Sequence, residues 1–275
     1  MTNRVRPASS LSVLPLLLVV SAHAVAQTPA PGTDSRAEIA KNLANPVANM
    51  VSVPFQNNWD YHLGTTDATL YTLNVQPVIP IGLDDRFILL TRTIIPYISY
   101  NSLAPGTSGA GGLGDTQASI FLSTREATKG GWILGVGPVF LFPTATSRST
   151  GSGKWGAGPT FVVGKQDGGW TYGLLASQTW SFAGTEGRAS VNSTFLEPFL
   201  MYTTKTYTTF GAFTESSYNW TEGQWSVPIE GMVSQVLMLA KQPFSITLGG
   251  RYWAKSPAGG PDWGLRLALT LIFLE

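Results

Sequence analysis

The chain has 275 residues, no cysteine and only 12% charged residues, where soluble domains usually carry about 25%. Its formal net charge of +1 excludes the strongly basic surface of a nucleic-acid-binding protein, so no nucleic-acid partner is expected. Hydrophobic residues reach only 43%. Small and uncharged polar residues therefore make up the deficit in charge, which is typical of a protein with one face in lipid and the other in water.

The first 26 residues have the features of a secretory signal peptide. Arg4 and Arg6 precede the apolar stretch 11-LSVLPLLLVV-20, and an Ala-x-Ala cleavage site ends at Ala26. The apolar stretch is shorter than the roughly 20 residues that span a bilayer. A buried N-terminal helix is the alternative reading. Removal of residues 1–26 would change the formal net charge to −1, because two arginines and no acidic residue are lost.

Residues 27–50 are predicted to be a leader that contains one short helix. The stretch 37-AEIAKNLANP-46 favours a helix that ends before Pro46, since the residue before proline is disfavoured in helical conformation. The remainder, residues 51–275, is predicted to be a single β domain.

From Val51 onward, apolar and polar residues alternate with a period of two. In 263–274, for example, Trp263, Leu265 and Leu267 share one face and Arg266 lies on the other. The stretches are about as long as membrane strands, near ten residues, rather than the five or six of soluble sheets. The pattern predicts twelve strands, at 51–63, 69–80, 86–100, 113–124, 132–143, 154–165, 169–182, 192–202, 206–220, 224–237, 243–254 and 263–274.

Loop lengths support a transmembrane barrel with up-and-down order. Connections after several odd-numbered strands are long, as in 101–112 and 144–154, whereas 81–85 and 203–205 are short turns. Long loops on one side and short turns on the other are typical of outer-membrane barrels, which have an even number of strands. The fold class predicted is all-β, a transmembrane antiparallel up-and-down barrel of about twelve strands with a short N-terminal helix.

Tryptophans and charges take opposite faces of the predicted strands. Trp and Tyr prefer the lipid–water interface, and an aromatic girdle is predicted at Trp59, Trp132, Trp155, Trp170, Trp225 and Trp263. Charges on a lipid-facing surface are costly, so the alternation places charged residues inside. The predicted pore-lining residues are Asp60, Arg92, Asp115, Glu197, Glu215, Glu230, Arg251 and Arg266. They could select permeating solutes by charge or close a narrow barrel as a structural ion-pair network.

The stretch 146-TSRSTGSGKWGAGPTFVVGK-165 contains Gly-Ser-Gly-Lys but is not a phosphate-binding loop. Such a loop has glycine five positions before its Gly-Lys pair and Ser or Thr after the lysine, where this chain has Arg148 and Trp155. The sequence instead predicts an exposed outer loop that leads into a strand, with residues 147–152 reachable from outside the cell.

Catalytic and metal-binding residues are not expected. Beyond the signal peptide the chain has one histidine, His62, and a base alone does not make a catalytic triad. The adjacent Asp84 and Asp85 are better explained as solvated turn residues than as metal ligands. The sequence therefore predicts no catalytic residue, no metal site, no cofactor and no enzymatic activity.

Several phrases, in order along the chain, resemble one family of bacterial outer-membrane proteins. They are 43-LANPVANMVSVPFQNNWDY-61, 74-NVQPVIPI-81, 91-TRTIIP-96, 112-GLGD-115, 135-GVGPVFLFPTAT-146, 195-FLEPFL-200, 241-KQPFSITLG-249 and 262-DWGLRL-267. They are similar to the barrel "transporter" family associated with the meta-pathway of phenol degradation, some of whose members are mislabelled neuromedin U. The resemblance implies outer-membrane location and passage of small organic molecules. Glu197 departs from the family, which more often has an uncharged amide there.

The sequence thus predicts an outer-membrane channel for passive passage of small organic solutes, aromatic or hydrophobic compounds among them. A non-conducting structural or adhesive barrel is the alternative, and an outer-membrane lipid hydrolase ranks third. A barrel of twelve strands could hold a narrow pore or be plugged, with residues 34–46 as the candidate plug. The expected partners are outer-membrane lipids, a small organic solute and, during biogenesis, the barrel-assembly machinery.

Overall fold

The computed structural model describes residues 33–274, with side chains from residue 36. The predicted signal peptide lies outside the described residues. One helix, α1 (Thr33–Leu43), precedes the strands. It begins four residues before the predicted stretch 37–46 and ends three residues earlier. Backbone turns at residues 42–50 then lead into the first strand.

Twelve antiparallel strands close into one barrel, which confirms the predicted fold class. Three strands are interrupted for one or two residues, and each is counted once. They are β1 (Val51–Leu63), β2 (Ala68–Val75 and Val78–Gly82), β3 (Phe87–Tyr100), β4 (Ala110–Leu113 and Thr116–Thr124), β5 (Trp132–Phe142), β6 (Lys154–Asp167), β7 (Trp170–Gly184), β8 (Asn192–Thr203), β9 (Thr208–Thr214 and Ser216–Asn219), β10 (Gln224–Leu239), β11 (Gln242–Lys255) and β12 (Trp263–Phe273).

The barrel closes between its first and last strands. β1 and β12 pair from Val51 opposite Phe273 to Tyr61 opposite Trp263, and every other pair joins strands that are adjacent in the chain. Closure leaves no unpaired sheet edge, which is what a barrel in lipid requires. No helix among residues 33–274 is long and apolar enough to cross a membrane.

The outer face of the barrel is apolar, as the alternation predicts. In β12, Leu265, Leu267 and Leu269 are 39–48% exposed, whereas Arg266 and Ala268 between them are buried. The same arrangement holds around the wall. The large apolar side chains exposed on other strands include Ile95, Leu134, Val136, Phe161, Phe210, Ile229 and Leu248.

One part of the inner face is also apolar, which the alternation did not predict. Strands β3 to β8 contribute buried side chains that pack together inside the barrel near the end at which β1 begins. We call this set the inner apolar cluster: Val47, Ile88, Leu90, Phe121, Ile133, Val162, Leu175 and Phe199. Stretches such as 87-FILL-90 are apolar on both faces, so alternation alone could not show that their inward residues have an apolar partner.

The partner of that cluster is the segment before β1. Val47 is 2% exposed within the inner apolar cluster. On another side of the opening, Ile39 and Met50 pack against Val236 of β10 and Ile272 of β12. Gln166 of β6 donates a hydrogen bond to the Lys41 carbonyl (3.1 Å). Because these contacts reach well-separated strands, residues 36–50 lie across one mouth of the barrel. We call them the N-terminal segment.

Candidate functional site: the barrel interior

Five of the eight predicted pore-lining residues form one ion-pair network. They lie on five consecutive strands around the seam: Glu215 between the two parts of β9, Glu230 on β10, Arg251 on β11, Arg266 on β12 and Asp60 on β1. We call this set the charged network. Each of these strands has one charged residue at an inward-facing position. The register of the strand pairs brings these positions to a similar level along the barrel axis. Glu230 and Arg251, for example, are directly paired residues.

Two arginines hold three carboxylates in this network. Arg251 Nη1 lies 3.1 Å from Asp60 Oδ1, Nη2 lies 3.5 Å from Glu215 Oε2 and Nε lies 3.4 Å from Glu230 Oε2. Arg266 Nη2 lies 2.7 Å from Glu215 Oε2, and its Nη1 lies 2.9 Å from Glu230 Oε1. With all five groups ionised, the network carries one net negative charge. Both guanidinium groups also lie near aromatic rings, Arg251 at 4.7 Å from Trp253 and Arg266 at 5.8 Å from Phe213.

Small residues beside the network give the carboxylates room. A Cβ atom at Gly264 would overlap the Asp60 carboxylate, and one at Gly249 would lie 3.1 Å from Glu230 Oε1. Asn58 adds a polar partner, since it accepts a hydrogen bond from Arg266 Nε (2.7 Å). Sequence reasoning missed all three residues. Each lies at an inward position of its strand, so the period-two alternation could have identified it.

Arg92 and Glu197 lie apart from this network and face each other across the lumen. Arg92 is on β3 and Glu197 is on β8, so the two residues are five strands apart in the twelve-strand wall. Arg92 Nη1 lies 4.0 Å from Glu197 Oε2. Arg92 Nη2 also donates to Gln76 Oε1 (3.1 Å), and Gln76 Nε2 donates to Gln56 Oε1 (2.9 Å). A polar chain thus crosses the interior, and its two glutamines were not among the predicted site residues.

Two cavities lie inside the barrel, one on either side of this polar chain. We call the cavity that borders the N-terminal segment the lower cavity and the other the upper cavity. The upper cavity, of about 290 Å³, is bounded by Gln76, Arg92, Glu215 and Arg251 among other side chains. The lower cavity, of about 240 Å³, is bounded by Gln76, Arg92 and Glu197, and the N-terminal segment forms its floor. Arg92 and Gln76 therefore border both cavities, which places them at the narrow point between the two.

The lower cavity is lined by both apolar and polar side chains. The apolar ones include Phe199, Met201 and Met232, with Leu43 and Met50 from the N-terminal segment. The polar ones carry hydroxyl groups: Ser52, Thr209, Ser234, Ser245, Thr247 and Thr270. The cavity is thus suited to a small molecule with a polar head and an apolar body.

Asp115 is not in contact with the charged network. Leu113 pairs with Tyr97 and Gln117 with Ile94, so β4 has one more residue than β3 between these pairs and forms a bulge at Asp115. There the carboxylate accepts hydrogen bonds from the Ser152 hydroxyl (2.6 Å) and the Ala145 backbone N–H (3.2 Å). Asp115 holds the loop after β5, residues 143–153.

Arg188 holds the same loop from the other side. Its guanidinium donates to the backbone carbonyls of Arg148 (2.8 Å), Gly151 and Ser152 (2.9 Å). Thr150 is buried, and its hydroxyl donates to the Leu113 carbonyl (2.8 Å). The Gly-Ser-Gly-Lys stretch is thus part of a fixed loop that ends where β6 begins at Lys154.

The predicted girdle tryptophans lie at two levels on the outer face. Trp132 and Trp170 begin β5 and β7 at the end where the N-terminal segment lies. Trp155, Trp225 and Trp263 lie at the opposite end, and all five are 39–49% exposed. Trp59, near the end of β1 at that opposite end, is partly buried beside Tyr71 (5.5 Å between ring centroids). Trp253, which was not placed in the girdle, is buried inside the barrel.

His62 and Asp84 both have structural explanations. A bulge follows Asp60, and His62 adopts a left-handed backbone conformation (φ 66°) that directs its half-exposed ring to Asp262 (Nδ1–Oδ2 3.2 Å). At the turn after β2, the backbone N–H groups of Arg86 and Phe87 each donate to Asp84 Oδ1 (2.7 Å). These hydrogen bonds lower the pKa of Asp84. Within residues 33–274, no group of three or more potential metal ligands was found.

Comparison with solved structures gives the fold an independent reference. An outer membrane channel from Pseudomonas putida F1 superposes with a TM-score of 0.63 over 82% of this chain and 94% of that chain, at 16% sequence identity. The two chains share a fold. At this identity the likeness extends to the barrel alone, and the phenol-degradation association of the family resemblance stays a prediction.

Other likenesses are weaker. They include the NanC porin (TM-score 0.48, 11% identity, 82% of this chain and 100% of that chain) and the outer membrane phospholipase of Salmonella typhi (TM-score 0.43, 13% identity, 86% and 98%). At these TM-scores they say nothing about function. No family model matches the chain, and no curated protein sequence matches it.

Proposed function

We propose that this protein is an outer-membrane β-barrel channel for the passive passage of small organic solutes. The observation that carries the proposal is a pair of cavities within a closed barrel, one on each side of the narrow point at Arg92 and Gln76. The apolar outer face and the two levels of tryptophan support insertion in a membrane. The shared fold with a bacterial outer membrane channel is consistent with this function.

The finer part of the proposal concerns the solute. Phe199, Met201 and Met232 line one side of the lower cavity, which supports passage of molecules with an aromatic or hydrophobic part. Outer-membrane lipids are the proposed surroundings, and the barrel-assembly machinery is the proposed partner during membrane insertion. Export by a cleaved signal peptide of residues 1–26 is part of the same proposal.

A non-conducting barrel with a structural or adhesive role is the second candidate. It is favoured by the N-terminal segment, which lies across one mouth, and by the charged network, which fills part of the lumen with mutually paired side chains. Lipid hydrolysis receives less support. The Asp262 carboxylate at His62 Nδ1 would suit a catalytic triad, but among the described residues no serine hydroxyl forms a hydrogen bond with the second ring nitrogen, as a nucleophilic triad requires.

Single-channel recording in planar bilayers separates the two candidates. Purified full-length protein, shown to be folded by heat-modifiable gel migration, should give discrete conductance steps. Folded protein with no conductance at any voltage would leave the structural barrel as the function. Glu197→Gln should shift the reversal potential in a salt gradient toward anion preference, because one negative charge leaves the conduction path. An unchanged reversal potential would place Glu197 outside that path.

A further inference from the structure

The three inward arginines differ in how well their guanidinium groups are paired. Arg251 and Arg266 each contact at least two carboxylates, and Arg266 donates to Asn58 as well. Arg92, in contrast, has Gln76 as its hydrogen-bond partner among the described residues, and its nearest carboxylate lies at 4.0 Å. A guanidinium has five N–H donors in a planar fork. Arg92 is therefore the least paired of the three guanidinium groups, and it has donors left for a solute.

Glu197 is the matching acceptor. Its Oε2 atom is buried and has no hydrogen-bond partner in the described part of the chain. A buried acceptor without a donor is destabilising, so its presence calls for an explanation. The Glu197 side chain is 16% exposed and borders the lower cavity, so a solute ammonium would bind its carboxylate from that cavity.

Both groups border the same cavity. Arg92 and Glu197 line the lower cavity together with Phe199 and Met201, which follow Glu197 on the inner face of β8 at intervals of two residues. A solute there can contact a cation, an anion and an apolar wall at once. Because Arg92 also borders the upper cavity, the contact can form before the solute passes the narrow point.

We propose that Arg92 and Glu197 form the solute-recognition site of the channel and that the preferred solutes are zwitterions, α-amino acids with an apolar side chain. This inference rests on the proposed channel function. The solute carboxylate binds the Arg92 guanidinium in the bidentate geometry that arginine favours, and the solute ammonium binds Glu197. The apolar side chain lies along Phe199 and Met201.

Charge explains why a zwitterion is favoured over simpler ions. A carboxylate without an ammonium group would be repelled by Glu197. An amine without a carboxylate would be repelled by Arg92. A neutral molecule would leave both groups unpaired. The zwitterion alone pairs with both and adds no net charge to the interior.

The test compares four solutes that share the isobutyl group of leucine: L-leucine, 4-methylpentanoate, 3-methylbutylamine and 4-methylpentanamide. Each is added to single channels of the full-length protein, and the concentration that halves the ion current is measured. Because charge-assisted hydrogen bonds are stronger than neutral ones, leucine should block at a concentration about tenfold lower than any of the other three. Arg92→Gln and Glu197→Gln should each remove most of this preference.

Two further variants make the result specific. The exchange Arg92→Glu with Glu197→Arg retains one cation and one anion at the site and should retain the preference for leucine. Arg86→Gln changes an exposed turn arginine and should leave the half-blocking concentrations unchanged.

Two outcomes would overturn the proposal, and they are distinct. If the unmodified protein conducts but leucine blocks no better than 4-methylpentanamide, the recognition site is refuted and the channel function stands. If folded protein does not conduct, the channel function itself fails. The comparison of solutes needs only the unmodified protein, so it decides the matter even if a variant does not fold.

Discussion

Arg251 Nη1 lies 3.1 Å from Asp60 Oδ1, although 191 residues of chain separate them. The contact joins β11 to β1 across β12 and therefore spans the seam at which the barrel closes. Glu215 and Glu230 extend the same network to β9 and β10. One set of ion pairs thus connects the last four strands to the first, so the network contributes to closure whatever passes through the lumen.

The charged network should be needed for stability. Arg266→Met leaves Glu215 and Glu230 short of one buried cation, which by analogy with other buried pairs destabilises the barrel by about 3–5 kcal/mol. The measurement is the temperature, and the urea concentration, at which the folded gel band converts to the unfolded one. Adding Glu230→Gln to Arg266→Met should recover part of the loss, because one unpaired charge is removed. A loss no larger than that of Arg86→Gln would contradict a structural role.

The N-terminal segment should limit conductance. Val47→Asp introduces a charge into the inner apolar cluster, where its burial is unfavourable, and the segment should leave the mouth. We expect a single-channel conductance several times that of the unmodified protein. Asn49→Asp adds the same charge at an exposed position of the segment and should have little effect. Equal conductance in both variants would show that the segment does not restrict the path.

The hydrogen bonds of Asp115 should protect the loop at residues 143–153. Asp115→Ala removes acceptors for the Ser152 hydroxyl and the Ala145 N–H. Trypsin cleavage after the exposed Arg148 should then become about tenfold faster or more, since hydrogen bonds to a carboxylate contribute about 1.5–3 kcal/mol each. Glu222→Ala, in the exposed turn after β9, is the control. Unchanged cleavage would mean that Arg188 and Thr150 hold the loop without Asp115.

The topology can be tested by labelling, because the chain contains no cysteine. Ser149→Cys lies at an exposed position of the loop after β5 and should react on intact cells with a membrane-impermeant maleimide. Lys129→Cys, exposed in the turn after β4, should react only after permeabilisation. Thr150→Cys should react slowly in both cases, because Thr150 is buried. Labelling of Lys129→Cys first would invert the proposed orientation.

The sequence predicted the wall of the barrel well because period-two alternation and turn residues are local signals. All twelve strands lie close to their predicted ranges, and the closing strand 263–274 differs from the structure by one residue. The period-two alternation also placed Glu230 and Arg266 inside the barrel. It grouped Asp115 with these residues, although Asp115 does not contact them, since a bulge changes which neighbours an inward residue meets.

Contacts across the lumen could not be predicted, since they depend on how the sheet curves. The approach of Arg92 to Glu197 joins β3 to β8, and no local pattern relates residues 92 and 197. The packing of Val47 against Leu90 and Phe121 is similarly non-local. The sequence predicted the short helix, but it indicated a helix in the barrel mouth only as one of two alternatives, a plugged barrel or a narrow open pore.

The pairing of β1 with β12 also determines when the protein can fold. Val51 meets Phe273, so the first strand acquires its second neighbour only after β12 has been synthesised. Until then, Val51–Leu63 and the latest strand to form both have unpaired backbone groups that can join another chain. We therefore expect a chain that stops before Trp263 to aggregate rather than form a smaller barrel. The barrel of this protein therefore closes only after all twelve strands are present.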